Sequence, residues 1–206
     1  MIDWDSCVLW LDSRYFSESY WWDRSKYNND GVVYGAKWEE DGFYFYDNYI
    51  NCGNKPSLPE NTPFTLAVLI RFYKLDNNWR CITDKFKTLF YTTLSIWKTN
   101  DNKFSFTTGN GEWNDLKGRS ITIGTLYFII AAWDGSTKYI YINGELDNSS
   151  TPPEDGKPCS GAGNFNIGAR DVTNYYLRNA KIYAVYVFDK FLKEKEIKIL
   201  TRNVGV

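Results

Sequence analysis

The chain has 206 residues and contains no Pro-, Ser- or Gly-rich linker that would divide it, which suits a single domain over 1–206. Its formal net charge is −1, with Lys and Arg dispersed among Asp and Glu, so it lacks the basic stripe that a nucleic-acid partner requires. No apolar run is long enough to cross a bilayer and no lipidation motif is present, so membrane insertion is not expected; with no His, histidine-based triads are excluded.

In chain order, residues 7–11 read as a first strand, with Cys7, Leu9 and Leu11 on one face and Val8 and Trp10 on the other. Residues 12–30 read as a long polar and aromatic connection carrying Tyr20, Trp21 and Trp22. Short strands follow at 31–34, 42–46 and 49–52, the second alternating Phe43 and Phe45 against Tyr44 and Tyr46 before a turn at Asp47-Asn48. Residues 51–62 form a loop in which Pro56 and Pro59, with Pro63 just beyond, remove backbone donors that a central strand needs. Residues 65–73 are the strongest central strand, because Leu66, Val68, Ile70 and Phe72 lie on one face and Ala67 and Leu69 on the other.

Strands at 79–83, 89–97 and 103–107 continue the sheets, separated by a hairpin loop at 98–102 and followed by a loop at 109–118 that carries Trp113. A short strand at 121–123 leads to the clearest hairpin. There 127–133 is a β-forming apolar run, Asp134-Gly135-Ser136 supplies a turn, and 138–142 alternates until Asn143-Gly144 offers positive φ angles. The stretch 147–163, with three Pro and three Gly, reads as a long exposed loop. Strands at 165–167 and 181–188 precede the one expected helix, 192–200, where Ile197 and Leu200 share a face and Lys193 and Lys195 are poor company for a helix N-terminus.

Six segments carry a resemblance. DRSKYNNDGVVYGAKW from Asp23, GFYFYDNYINCG from Gly42, FTLAVLIRF from Phe64, AAWDGSTKYIYINGEL in the hairpin, FNIGAR from Phe165 and NAKIYAVYVFDKFLKEKEIKIL from Asn179 are similar, in this order along the chain, to the laminin-G-like branch of the concanavalin A-like lectin/glucanase superfamily. The resemblance covers nearly the whole chain. It implies an all-β fold, a two-sheet antiparallel jelly-roll β-sandwich with one short C-terminal helix and the first strand beside the last. The superfamily usually works outside cells, whereas the acidic start MIDWDSCVLW has no basic n-region. The expected location is therefore extracellular or on a virion surface, reached without a signal peptide in the chain as given.

The four cysteines, Cys7, Cys52, Cys81 and Cys159, are widely spaced and have no zinc-like pattern. They allow three disulfide pairings or four buried thiols. Glucanase relatives use acids in an E-x-D-x-x-E pattern; the nearest match, from Glu145 through Asp147, lacks the last acid, and Glu39, Glu40 and Asp41 crowd one turn. No enzyme activity is expected.

Calcium is the one cofactor the sequence offers, as a structural ion held by Asp23, Asn28 and Asp47; the alternative is that these residues make turns through side-chain to backbone bonds. Sugar recognition needs flat aromatic faces beside a few polar groups. Trp113 with Asn110 and Asn114, and Tyr175 and Tyr176 with Asn174 and Arg170, have that composition. The expected function is a non-catalytic recognition module, binding a glycan or a surface protein at a cell or virion surface. The alternative is a structural subunit of a capsid, tail, decoration layer or envelope assembly, as a homo-oligomer or part of something larger.

Overall fold

The structure, a computed structural model, describes residues 2–58, 62–88, 91–159, 163–170 and 175–206. Its strands are β1 (Cys7–Phe16), β2 (Tyr20–Asp23), β3 (Gly31–Tyr34), β4 (Lys37–Glu39), β5 (Gly42–Tyr46), β6 (Tyr49–Asn51), β7 (Phe64–Phe72) and β8 (Arg80–Thr88). They continue as β9 (Tyr91–Lys98), β10 (Lys103–Asn110), β11 (Trp113–Ser120), β12 (Leu126–Trp133), β13 (Lys138–Ile142), β14 (Glu145–Ser150), β15 (Phe165–Ile167) and β16 (Arg178–Phe188), before a helix α1 (Glu194–Asn203).

The hairpin of β12 and β13 shows how local chemistry sets the architecture. Asn143 and Gly144 take φ values of 53° and 84°, the positive pair that a tight hairpin turn demands. At the other end, the Asp134 carboxylate accepts the backbone N–H groups of Ser136 and Thr137 and the Tyr139 hydroxyl, at 2.7 to 2.9 Å. With both ends fixed, Ile140 faces Ala131 and Ile142 faces Ile129. Period-two alternation then sends Ile140 and Ile142 into one core and Tyr139 and Tyr141 into another.

Those two cores organise the molecule. β7 stands between them, giving Leu66, Val68, Ile70 and Phe72 to the larger and Ala67 and Leu69 to the smaller. In the larger core Phe64 meets Phe106 edge to face, and Phe104 packs against both Phe72 and Tyr127, so β7 and β12 lie over β10. The smaller core is covered by α1, whose Ile197 and Leu200 are buried with Leu192, Phe128 and Ile130.

The hydrogen-bonded path is continuous rather than divided into two separate sheets. It runs β11-β10-β9-β8-β15-β6-β3-β2-β1-β16-β7-β12-β13-β14, with β4 and β5 joining it through β16. Its two halves face each other across the larger core, and the short strands β15, β6, β3 and β2 connect them. β1 does pair with β16, so the first long strand lies beside the last. The path also nearly closes: Asn148 on β14 donates to the Lys117 carbonyl on β11 at 2.8 Å, and the Asp147 carboxylate accepts from Arg119 N–H at 2.7 Å and Nε at 2.6 Å.

Several elements depart from the sequence reading, each for a local reason. β1 continues to Phe16, and β2 occupies part of the stretch 12–30, because the Asp23 carboxylate takes the Trp10 N–H at 2.8 Å and draws the connection against the strand. β11 fills most of the supposed loop 109–118; its sequence WNDLKGRS has few β-formers, and only Leu116 is buried there. β14 takes the start of the supposed loop 147–163. The helix starts at Glu194 rather than 192, since the Glu196 carboxylate accepts the Lys193 N–H at 3.0 Å and supplies the cap that Lys193 cannot. The start of the expected strand 89–97 and Pro59 lie outside the described residues. Cys7, Cys52, Cys81 and Cys159 are all buried as thiols, not joined in disulfides.

Candidate functional site

Alternation along β9, β10 and β11 builds a second surface on the side away from the larger core. Leu94, Ile96, Phe104, Phe106 and Leu116 point into that core. Their neighbours Ser95, Trp97, Ser105, Thr107, Asp115 and Lys117 therefore occupy the opposite face. The pairs Ser105 to Trp97 and Thr107 to both Ser95 and Asp115 align across the three strands. A register shift between Thr107 and Gly109 lets Thr92 join this face although its numbering has the other parity.

A cavity of about 190 Å³ opens on this face, lined by Trp79, Trp97, Trp113 and Tyr175 together with Asp84, Asp115, Thr92, Thr107 and Arg170. Its walls are held before any ligand arrives. Trp97 donates from Nε1 to Ser95 Oγ at 2.5 Å, and the Tyr175 ring meets Trp97 edge to face at 5.4 Å. Trp79 also meets Trp97 edge to face, at 6.3 Å.

The polar groups are equally fixed. The Asp115 carboxylate accepts from Thr107 Oγ1 at 2.6 Å and Ser105 Oγ at 3.3 Å. Asp84, fully buried, accepts from the Thr92 hydroxyl and has Arg170 Nε at 3.9 Å. The Arg170 guanidinium carbon lies 4.3 Å from the Phe86 ring centroid and 4.5 Å from that of Trp113, a cation–π contact with each. Chemically the cavity offers ring faces for C–H groups and carboxylates that accept from hydroxyls.

Of the residues singled out in the sequence, Trp113, Tyr175 and Arg170 meet here. Asn110, Asn114 and Tyr176 do not line the cavity. Asn114 sits on β11 with its Cβ against Gly156 and its carbonyl accepting from Lys138 Nζ at 2.6 Å. Asn110 ends β10, opposite Tyr91, and the Tyr176 ring packs 6.5 Å from Tyr49. Asn174 lies outside the described residues. The sequence reading passed over Trp79, Trp97, Thr92, Thr107, Asp84 and Asp115. Trp97 and Thr107 carry a signal, the phase of YTTLSIWK and KFSFTTGN that alternates with the Leu, Ile and Phe phase of the core; Thr92 lies out of that phase, and Trp79, Asp84 and Asp115 lie outside both segments.

The residues expected to hold calcium do not fit a cation. The Asp23 oxygens take N–H groups of Trp10, Ser25 and Asn29 and the Ser25 hydroxyl, all at 2.7 to 2.9 Å, so they face donors instead of a metal. Asn28 and Asp47 take φ values of 52° and 57° at turns, and Asp47 is ion-paired with Arg178. Among the described residues no group of three or more His, Cys, Asp or Glu side chains is gathered that could bind a metal. Among the described residues no helix is long and apolar enough to cross a membrane; α1 has 10 residues.

The molecule is thus a sheet-rich domain folded over a shared core, with an aromatic and acidic cavity on the outer face of β9 to β11. The chain belongs to the concanavalin A-like lectin/glucanases superfamily, in the laminin-G group whose family model matches residues 17–198. No curated protein matches it in sequence. Among solved structures it is similar to the receptor-binding domain of botulinum neurotoxin C/D mosaic serotype, with a TM-score of 0.78, 16% identity, and coverage of 98% of this chain and 52% of that one. The binding domain of botulinum neurotoxin serotype D/C gives a TM-score of 0.72 at 20% identity, covering 98% of this chain and 53% of that one. Trypanosoma rangeli sialidase gives 0.71 at 14% identity, covering 95% of this chain and 32% of that one. The chain thus spans about half of the toxin binding domains and about a third of the sialidase. Identities this low establish the fold.

Proposed function

We propose that this chain is a non-catalytic carbohydrate-recognition module of jelly-roll type, working at a cell or virion surface, and that the cavity beside β8 to β11 is its binding site. The observation that carries this reading is the lining itself: four aromatic rings around Asp84, Asp115 and Arg170 in a space of about 190 Å³. The rings cover the apolar faces of a sugar, while the Asp115 carboxylate accepts from its hydroxyls. Asp84 is less suited to act on a glycosidic bond, because Thr92 and Arg170 already engage it. The similar structures are receptor-binding domains and a sialidase by name, which accords with glycan recognition by such folds and does not assign this chain's ligand.

The meeting of β11 and β14 bears on the alternative of an assembly subunit. An open strand edge is the ordinary template for association between copies, and here Arg119, Asp147, Lys117 and Asn148 cover the two path ends with each other. That disfavours association through those two edges, and the cavity favours recognition. A glycan screen on the purified protein tests it, with Trp113→Ala as control. Trp113 is 43% exposed, so its loss is expected to abolish glycan binding and move the melting temperature little. A parent protein that binds no glycan on the screen removes this reading.

A further inference from the structure

The cavity is one end of a longer surface. Asp84 on β8 is the register partner of Asn166 on β15, Asn166 of Asn51 on β6, and Asn51 of Val32 on β3. Residues paired across strands in this way share a face, so this row runs from the cavity floor across four strands. Tyr49 and Tyr34 lie two positions along β6 and β3 from Asn51 and Val32, and therefore on the same face. Their core-facing neighbours Ile50 and Val33 confirm the phase.

These two tyrosines form a stacked pair, ring centroids 4.7 Å apart, and Tyr34 is 48% exposed. Tyr175 and Tyr176 tie the pair to the cavity. The Tyr175 ring lies against Trp97 in the cavity wall, whereas the next ring along the chain, Tyr176, lies 6.5 Å from Tyr49. Tyr175 adopts φ 56°, the left-handed region that a bulky residue enters only when its surroundings hold it there. Backbone bonds supply that hold: the Tyr175 carbonyl accepts from Cys81 N–H at 2.8 Å, and Leu177 N–H donates to Gly168 O at 2.7 Å. Between the two platforms, Asn166 has a buried side-chain oxygen with no hydrogen-bond partner, an acceptor left over in the row.

We infer that the ligand is a linear glycan of three or more sugars, lying across the strands from the cavity to a second platform formed by Tyr34 and Tyr49. This rests on the sugar reading of the cavity and adds to it the length of the ligand and the direction in which it lies. At the usual spacing of about 4.8 Å between strands, β3 is roughly 15 Å from β8, too far for one ring to touch both platforms. A chain of sugars spans it.

The test uses the whole protein and ladders of cello-, xylo-, manno- and chito-oligosaccharides from one to six units, with affinities measured by calorimetry beside the wider glycan screen. Affinity for the ladder that binds should rise at least about tenfold between one unit and four. Tyr34→Ala should erase that gain and leave the affinity for the single sugar unchanged, and Tyr34→Trp should restore it. Equal affinity at every length, or a Tyr34→Ala protein that keeps the gain, overturns the second platform and leaves the cavity reading standing. Binding on the screen confined to branched or single-sugar ligands also overturns the linear ligand alone. Failure of every glycan overturns the cavity reading and this inference with it.

Discussion

Asp23 shows how a residue type that suggests a metal can serve the backbone instead. Its carboxylate gathers four donors from Trp10, Ser25 and Asn29, and Asn29 in turn donates to the Val8 carbonyl at 2.6 Å. One side chain thus ties β1 to the loop after β2. Asp23→Ala leaves buried N–H groups unsatisfied and is expected to cost about 3 kcal/mol of unfolding free energy in a urea titration. Millimolar calcium and a chelator should give the same melting temperature, because an ion that does not bind the folded state contributes no stabilisation by mass action. A clear rise with calcium would return Asp23, Asn28 and Asp47 to the role of ligands. At the cavity, Trp113, Tyr175 and Arg170 were legible in the sequence as candidates and line one space, but nothing local in the sequence says that Asp84 and Asp115 join them, since both arrive through strand pairing.

Elements were legible in proportion to how much apolar alternation they carry. β7, β12 and β13 are read almost to the residue, because burial on one or both faces leaves a pattern that no loop would keep. β11 and β14 were missed for the opposite reason: their burial patterns are mostly exposed, and only pairing with β10 and β13 makes them strands. The helix lies between these cases. Its apolar face was visible, while its start depends on Glu196 reaching back to the Lys193 N–H. Leu200 is fully buried in the smaller core, so Leu200→Ala should cost 2–5 kcal/mol, in the range for truncated core leucines. Glu196→Ala removes the cap bond to the Lys193 N–H and a partly exposed ion pair with Lys190 at 3.0 Å, and about 1 kcal/mol is expected. Chemical denaturation of both variants checks the ratio; equal effects would mean that the cap, not the packed face, holds α1.

At the scale of the whole molecule, the two halves of the sheet are joined partly by one buried ammonium group, and a second ties β8 to the ends beside it on the path. Lys138 on β13 is fully buried, with Nζ donating to the Asn114 carbonyl on β11 at 2.6 Å and to that of Phe106 on β10 at 3.3 Å. Burial pulls its pKa down from 10.5 to about 7, partly offset by the charge of Asp115. Lys85, donating to the carbonyls of Asn54 and Gly163, is pulled down to about 8, again by burial. In the unfolded chain both keep their protons up to about 10.5. From pH 7 upward the unfolded state therefore holds more protons than the folded one, and stability rises with pH, by up to about 1.4 kcal/mol per unit for each group. Burial acts in the opposite sense on the thiols, pushing Cys7 from 9.0 up to about 12 and Cys52 higher still. Above pH 9 the unfolded thiols ionise while the folded ones do not, so this contribution falls. Urea titrations should accordingly show a midpoint that climbs from pH 7 to about 9, levels off, and drops above about 10.5 once the lysines have finished and the thiols and the buried Tyr186 dominate. Lys138→Met should flatten the climb between pH 7 and 8, where Lys138 titrates ahead of Lys85, and should bring the decline forward to about pH 9, because Lys85 alone does not balance the two thiols there. A midpoint that stays level or falls from pH 7 to 9 in the parent protein would mean that the two ammonium groups are solvated, and that Lys138 does not join the halves through the carbonyls of β10 and β11.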